Sequence, residues 1–331
     1  MAGLVAAARL RQLGARFELH EKGTRPGGSM LLSSCVVWRH ATFEGFREDC
    51  PDGDPTLQRL VWERFDDALA WLEHLGPTVE WSDTRNPRTT GRRFDPRSLT
   101  DVLVVAAGEI QYGSSELGPD EPLLLATGGF PVRLARELGL PVRSNAWSEG
   151  DGLAFGSSLG AATAGDLAEF YGRAMPAPPA RYGEDDYVSL AQLYGGAARA
   201  VNEQGEEFFD GAPAWHENDL AQSIARQPGG TAWFAVDEPD HPKVIAAREA
   251  GGDVLQEDGS VRVHVTTGVT HTLGGLRIDE HARVLRADGS PIEGLYAAGV
   301  DAGGIASGGY ASGLAQALVL GLVAAESLLA H

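Results

Sequence analysis

The chain has 331 residues, 46 acidic against 27 basic, and a formal charge of -19 at pH 7. That surplus of negative charge repels nucleic acid and anionic lipid, so neither is an expected partner. With 43% apolar residues and this length, one large or two ordinary globular domains with a substantial core are expected. Two cysteines, Cys35 and Cys50, point to free thiols in a reducing, cytoplasmic setting.

In chain order, Leu4, Val5, Ala8, Leu10 and Leu13 recur at near-helical spacing and Gly14 follows as a stop. "ARFELHE" then alternates Phe17 and Leu19 in a short strand closing on Glu21. A helix feeding a strand is the second half of a βαβ unit. Glu21 stands eighteen positions after Gly3, near the interval between the last glycine of G-x-G-x-x-G and the carboxylate that holds a ribose. Gly3 then reads as the third glycine of a fingerprint whose first strand and first two glycines are missing, with translation expected to start upstream of Met1. The plainer reading is a glycine packed in an ordinary N-terminal helix.

Residues 57–76, "LQRLVWERFDDALAWLEHLG", carry Leu57, Leu60, Val61, Phe65, Leu69, Leu72 and Leu75 along one stripe, which predicts an amphipathic helix. "LLLATGG" is an apolar strand breaking at Thr127, and "RAMPAPPARYGEDD" interrupts the periodic pattern as a domain boundary does. Beyond it come two strand-like runs in "ARAVNEQGEEFFD", the helix-like "WHENDLAQSIARQ" and the strand-like "GTAWFAVDE". The longest apolar stretch, "GLAQALVLGLVAAESLLA", is interrupted by Gln316 and Glu326 and predicts a buried helix, not a membrane span.

Five segments stand in a telling order: "EKGTRPGGSMLLSS" (21–34), "LLLATGGF" (123–130), "EGDGLAFGSSLGAA" (149–162), "THTLGGLRID" (270–279) and "GLYAAGVDAGGIASGGYASGLAQALVLG" (294–321). Through them nearly the whole chain resembles the FAD-dependent oxidoreductases related to the flavoprotein subunits of fumarate reductase and succinate dehydrogenase, a group that includes 3-ketosteroid dehydrogenases. The resemblance implies an α/β fold: a Rossmann-like FAD-binding domain, its first strand missing, from residues 1–174 and 260–331, with an inserted α+β capping domain at 175–259. It implies non-covalent FAD, since no His-Thr attachment sequence stands near Ser29 to Cys35. No metal, haem or iron–sulfur cluster is suggested.

The cofactor contacts implied begin with Gly3, Glu21 and Lys22. Gly27 and Gly28 permit a turn without Cβ atoms in the way, so that backbone N–H groups and Ser29 can approach a phosphate or flavin edge; a plain Pro-Gly-Gly turn is the alternative. Ala126, Thr127, Gly128 and Gly129 would give close backbone approach to the adenosine half, with Asp151 beside them. Asp301 fits the family's acidic residue for the ribitol hydroxyls, although many members carry Glu one place earlier, where this chain has Val300. Ser312, Gly313 and Leu314 open the last helix, whose N-terminal N–H groups would favour negative charge on the flavin.

For chemistry, the resemblance implies hydride transfer at flavin N5 that forms or reduces a C=C bond next to a carbonyl. His271 corresponds to the histidine that binds a substrate carboxylate or carbonyl in fumarate-reductase-like members. The arginine that delivers the proton in those members is absent after "VNEQGEEF", with none until Arg226, and Tyr310 stands where another substrate-clamping arginine is usual. Losing both removes a bidentate grip on a dicarboxylate, so fumarate and succinate are not the expected substrates. Tyr310 is the preferred acid/base or ketone-binding group, Tyr194 and His216 being outside candidates, and ring packing is the competing role for each. The partners expected are a small carbonyl compound, steroid-like or an enone, and a separate electron donor or acceptor. Two other classes stay open: a flavin-free or inactive scaffold, given the truncated start, and a nicotinamide-dependent dehydrogenase, against which the return segment "GLYAAGVDAGG" speaks.

Overall fold

The computed structural model describes every residue except 116, 117, 119–121, 258 and 331. The chain forms two compact units, one of Met1–Phe130, Trp147–Glu169 and Thr272–His331, the other of Pro131–Ala146 and Phe170–His271.

The first unit is a mixed α/β body. Its N-terminal helix, Ala2–Gln12, leads to the two-residue strand His20–Glu21, which pairs in parallel with Gln111–Tyr112. The predicted strand over residues 15–21 is longer than the one formed, because ladder partners run alongside only at its end. Leu19 O still accepts from Gln111 N at 2.8 Å, and Phe17 packs instead against Ala6, Leu10 and Ala325. A second parallel pair sets Leu123–Leu125 beside Pro291–Ala297, with Arg283–Leu285 antiparallel on the far side of the latter. The parallel strands are thus shared between two separate short sheets. A third, antiparallel sheet holds Val79–Trp81, Thr89–Phe94 and Val36–His40.

Local signals set the helices. The predicted amphipathic helix spans Pro55–His74; Asp54 caps it by accepting from Thr56 N and Leu57 N, and Pro55 occupies the first turn, where its missing N–H costs nothing. Its apolar stripe buries Leu57, Val61, Phe65, Leu69 and Leu72. Asp95 caps Pro96–Ala107 in the same way, through Ser98 N. The C-terminal helix, Gly313–Leu329, is buried on nearly all sides and packs on the N-terminal helix. A Cβ on Gly321 would lie 2.8 Å from Ala2 O and 3.0 Å from Val5 Cγ1. The two backbones therefore approach more closely than any larger residue allows.

The second unit is built on an antiparallel sheet in the order Val254–Glu257, Ser260–Thr272, Thr231–Val236, Arg199–Val201, with Phe170–Pro176 also pairing to the long strand. Alternation by two puts Ala232, Phe234 and Val236 on the same face as Val261, Val263 and Val265. Leu220 and Ile224 of the helix Asn218–Ala225, and Val244 and Ala247 of Pro242–Glu249, close over that face. Among the described residues no helix is long and apolar enough to cross a membrane.

Candidate functional site

Two parallel neighbours, Leu123–Leu125 and Pro291–Ala297, end side by side in the first unit. Past the first lies the turn at residues 126–130; past the second, the short helical turn Gly299–Asp301. Asp301 is 2% exposed, and its carboxylate is directed at the facing turn. Oδ2 accepts from Thr127 N and, at 3.1 Å, from Gly128 N; Oδ1 accepts from Thr127 Oγ1 at 2.8 Å. Burial pushes Asp301 above the usual carboxylate range, and the hydrogen bonds from Thr127, Gly128 and Gly129 oppose that shift. Thr127 Oγ1 in turn accepts from Gly152 N at 3.1 Å, in the first turn of the helix Asp151–Ser158.

The other residues that the resemblance assigns to the cofactor belong to this same unit. A Cβ on Gly3 would meet Ala126 Cβ at 3.5 Å, an ordinary contact, so protein packing alone does not require glycine there. Glu21 closes its strand and uses Oε1 to accept from Gly23 N at 2.7 Å. Lys22 and Asp151 engage each other: the ammonium lies 2.8 Å from Asp151 Oδ2 and 3.0 Å from Glu149 Oε2, and these carboxylates raise the lysine above its usual range, the Asp151 hydrogen bond most. Gly27 and Gly28 have φ of +100° and +53°, a backbone that glycine adopts without strain, and Ser29 follows in the single helical turn Gly28–Leu31. Ser312 caps the C-terminal helix by accepting from Ala315 N. The first N–H groups of a helix have no partner within it, which leaves those of Gly313 and Leu314 outside the ladder.

Tyr310 lies just ahead of that helix, its ring 5.5 Å from Trp38 and its backbone N–H donating to the Cys50 thiol. The loop that carries it is pinned from several directions. Asp54 N donates to Gly304 O at 2.8 Å, Gly308 N donates to Glu169 Oε1 at 2.8 Å, and Gln58 Nε2 donates to Ile305 O at 2.8 Å and to Cys50 O at 2.9 Å. Gln58 Oε1 accepts from Arg47. Burial raises Glu169, and the Gly308 bond acts the other way. Sequence reasoning placed none of Gln58, Arg47 or Glu169 at the site. The readable signal was a glutamine on the apolar stripe of an amphipathic helix.

His271 belongs to the second unit. It is partly reachable by solvent yet densely surrounded, and burial, reinforced by the charge of Arg143, lowers it from 6.5 to about 4. The ring is therefore neutral near pH 7, able to donate from one nitrogen and accept at the other. It lies 5.2 Å from Tyr171, whose face carries the Arg173 guanidinium at 5.0 Å. Arg143 donates to Thr270 Oγ1 at 3.1 Å and to Tyr187 O at 3.0 Å. Two guanidiniums, Arg143 and Arg173, thus belong to this cluster. Tyr194 is a core residue whose hydroxyl donates to Gln192 Oε1 at 2.8 Å. His216 is buried, with Nδ1 accepting from Asn218 N at 3.1 Å and its carbonyl accepting from Arg173.

The first unit offers donors and acceptors suited to a polyhydroxyl group that bears phosphate. Thr272 Oγ1 and Ser307 Oγ are buried without a protein hydrogen-bond partner, helix-end N–H groups stand at Gly313 and Leu314, and an acid ends a parallel strand at Glu21. These features fit a dinucleotide cofactor.

Comparison with known proteins bears on what that group is. The family described as FAD binding domain matches residues 104–313. The NADH:fumarate oxidoreductase of Klebsiella pneumoniae (strain 342) is 25% identical over 90% of this chain, which spans 43% of that protein's length. In fold, the chain is similar to the open conformation of a flavocytochrome c3 fumarate reductase, with a TM-score of 0.76 and 19% identity over 99% of this chain and 76% of that one. It is likewise similar to the 3-ketosteroid-Δ4-(5α)-dehydrogenase of Rhodococcus jostii RHA1 in complex with 4-androstene-3,17-dione, with a TM-score of 0.70 and 16% identity over 99% and 94% of the two chains.

Proposed function

Because the chain belongs to the FAD binding domain family and its cofactor is FAD, we propose that it is an oxidoreductase that forms or reduces a carbon–carbon double bond next to a carbonyl group. The observation that carries this reading is the meeting of the 126–129 turn, Gly299–Asp301 and the start of the C-terminal helix in one unit. The crevice beyond the carboxyl ends of parallel strands is where α/β folds take dinucleotides.

In this reading Glu21 holds a ribose through its remaining carboxylate oxygen, and Gly27, Gly28 and Ser29 admit the cofactor's phosphate or flavin edge. Ala126 to Gly129 pack against the adenosine half without side chains in the way. The N–H groups of Gly313 and Leu314 hold negative charge on the bound group. When bound, FAD supplies the centre that accepts or donates the hydride. Tyr310 donates a hydrogen bond to the substrate carbonyl, polarising the adjacent C–H bonds, or moves the accompanying proton at its hydroxyl oxygen. His271, neutral at physiological pH, binds a carbonyl or carboxylate oxygen as a donor.

The substrate in this reading is an uncharged ketone of the enone or steroid type, favoured by a tyrosine at position 310. A second reading, a carboxylate-bearing substrate, is favoured by Arg143 and Arg173 near His271 and Tyr171. One experiment addresses both. Protein incubated with FAD and desalted is expected to stay yellow and to oxidise 3-ketosteroids with an artificial electron acceptor. Colourless protein would remove the flavoenzyme reading, and turnover confined to fumarate or another carboxylate would replace the first substrate class with the second.

A further inference from the structure

Asp301 occupies the neighbourhood expected of a cofactor-binding acid, but its oxygens are spent inside the protein. The donors that converge on them include the consecutive backbone N–H groups of Thr127, Gly128 and Gly129 and the Thr127 hydroxyl. The hydroxyl gives its one proton to Oδ1 and uses a lone pair to accept from Gly152 N. A single side chain, 174 positions away in the chain, thereby joins the ends of two parallel strands to the start of the helix Asp151–Ser158. The space is filled as well as bonded: a Cβ on Gly152 would come 2.6 Å from Asp301 Oδ1 and 2.8 Å from Thr127 Oγ1.

We infer that Asp301 is a positioning residue, which binds no part of the cofactor itself and instead fixes the turn at residues 127–129 in the form that receives the adenosine half of FAD. The inference deepens the reading above and rests on it for the identity of the cofactor. Its chemical consequence is specific. The N–H groups of Thr127 and Gly128 and the hydroxyl proton of Thr127 are committed to Asp301, so this turn meets the cofactor through shape and carbonyl oxygens, and donated hydrogen bonds must come from elsewhere.

The conservative substitution separates positioning from direct binding. In Asp301→Asn the side-chain oxygen can still accept from the Thr127 and Gly128 N–H groups, while the amide donates to Thr127 Oγ1, whose own proton turns away. In Asp301→Ala these donors lose their acceptor. Dissociation of FAD would be followed by flavin fluorescence, and hydrogen exchange of the Thr127 and Gly128 amides would be measured on the full chain with and without FAD.

Asp301→Asn is expected to hold FAD within about threefold of wild type and to keep both amides protected. Asp301→Ala is expected to weaken FAD by about tenfold or more and to expose the amides, as loss of hydrogen bonds to a charged group implies. Thr127→Val should weaken FAD on its own but add little in the Asp301→Ala background, since the two residues act through one interaction. If Asp301→Ala does not fold, Asp301→Asn and Thr127→Val still decide. Asn weakening FAD tenfold or more with both amides still protected would assign Asp301 to direct cofactor contact and overturn the inference, as would full additivity of the two sites. Wild-type protein that takes up no FAD would remove the functional reading above, while amide protection without FAD would still test whether Asp301 holds the turn.

Discussion

Gln58 Nε2 donates to Ile305 O at 2.8 Å, tying the helix Pro55–His74 to a loop 247 positions further along the chain. The glutamine is fully buried, and each of its polar atoms is used: Nε2 also reaches Cys50 O, and Oε1 accepts from Arg47. Replacing it by Leu preserves bulk, takes the side-chain donor from Ile305 O, and removes one partner each from Cys50 O, which also accepts from Gly53 N, and from Arg47, which also donates to Gly53 O and Pro51 O. A destabilisation of about 1–3 kcal/mol is expected, the cost of a buried carbonyl left without its donor. Urea unfolding measures it. Because the loop carries Tyr310, turnover should also fall more steeply than FAD affinity.

The contact between the terminal helices makes a paired prediction about glycines. Gly321→Val pushes a branched side chain against Ala2 O and Val5, and should cost about 1–3 kcal/mol or more through overpacking. Gly3→Ala brings its Cβ to an ordinary 3.5 Å from Ala126 Cβ, so stability should change by no more than about 0.5 kcal/mol. Thermal unfolding of the two variants in parallel checks the contrast. Equal losses would mean that the helices do not cross as closely as 2.8 Å implies.

His271 gives the folded protein an acid limb. Burial first, and then Arg143, hold it at about 4 against 6.5 when exposed. A lowered folded value means that the unfolded chain takes up the proton first as pH falls. The contribution is fully present above pH 6.5 and is lost progressively down to about pH 4. Its size is at most about 3.5 kcal/mol, from roughly 1.4 kcal/mol per unit. Stability measured by urea between pH 7 and pH 4.5 should therefore fall less steeply in His271→Asn than in wild type. Parallel curves would show that the imidazole titrates normally in the folded state.

Much of the architecture was legible because its signals are local. The stripe from Leu57 to Leu72 has helical period, and Ala232, Phe234 and Val236 alternate by two as a half-buried strand must. These depend on backbone geometry and on which face meets water, and both are written within a few residues. The strand at 15–21 was less well read, since only a partner strand decides how much of an extended segment joins a ladder.

The candidate site divides along the same line. The order of the glycine-rich segments, the acid closing the first strand at Glu21 and the small residues before the last helix are properties of the chain, and they were enough to point to a dinucleotide-binding flavoprotein. What Asp301 bonds to, which residues supply positive charge beside His271, and that Gln58 holds the loop of Tyr310 came only with the tertiary structure. Each depends on groups far apart in sequence, and a buried polar atom takes whichever partner the packing brings within hydrogen-bond reach.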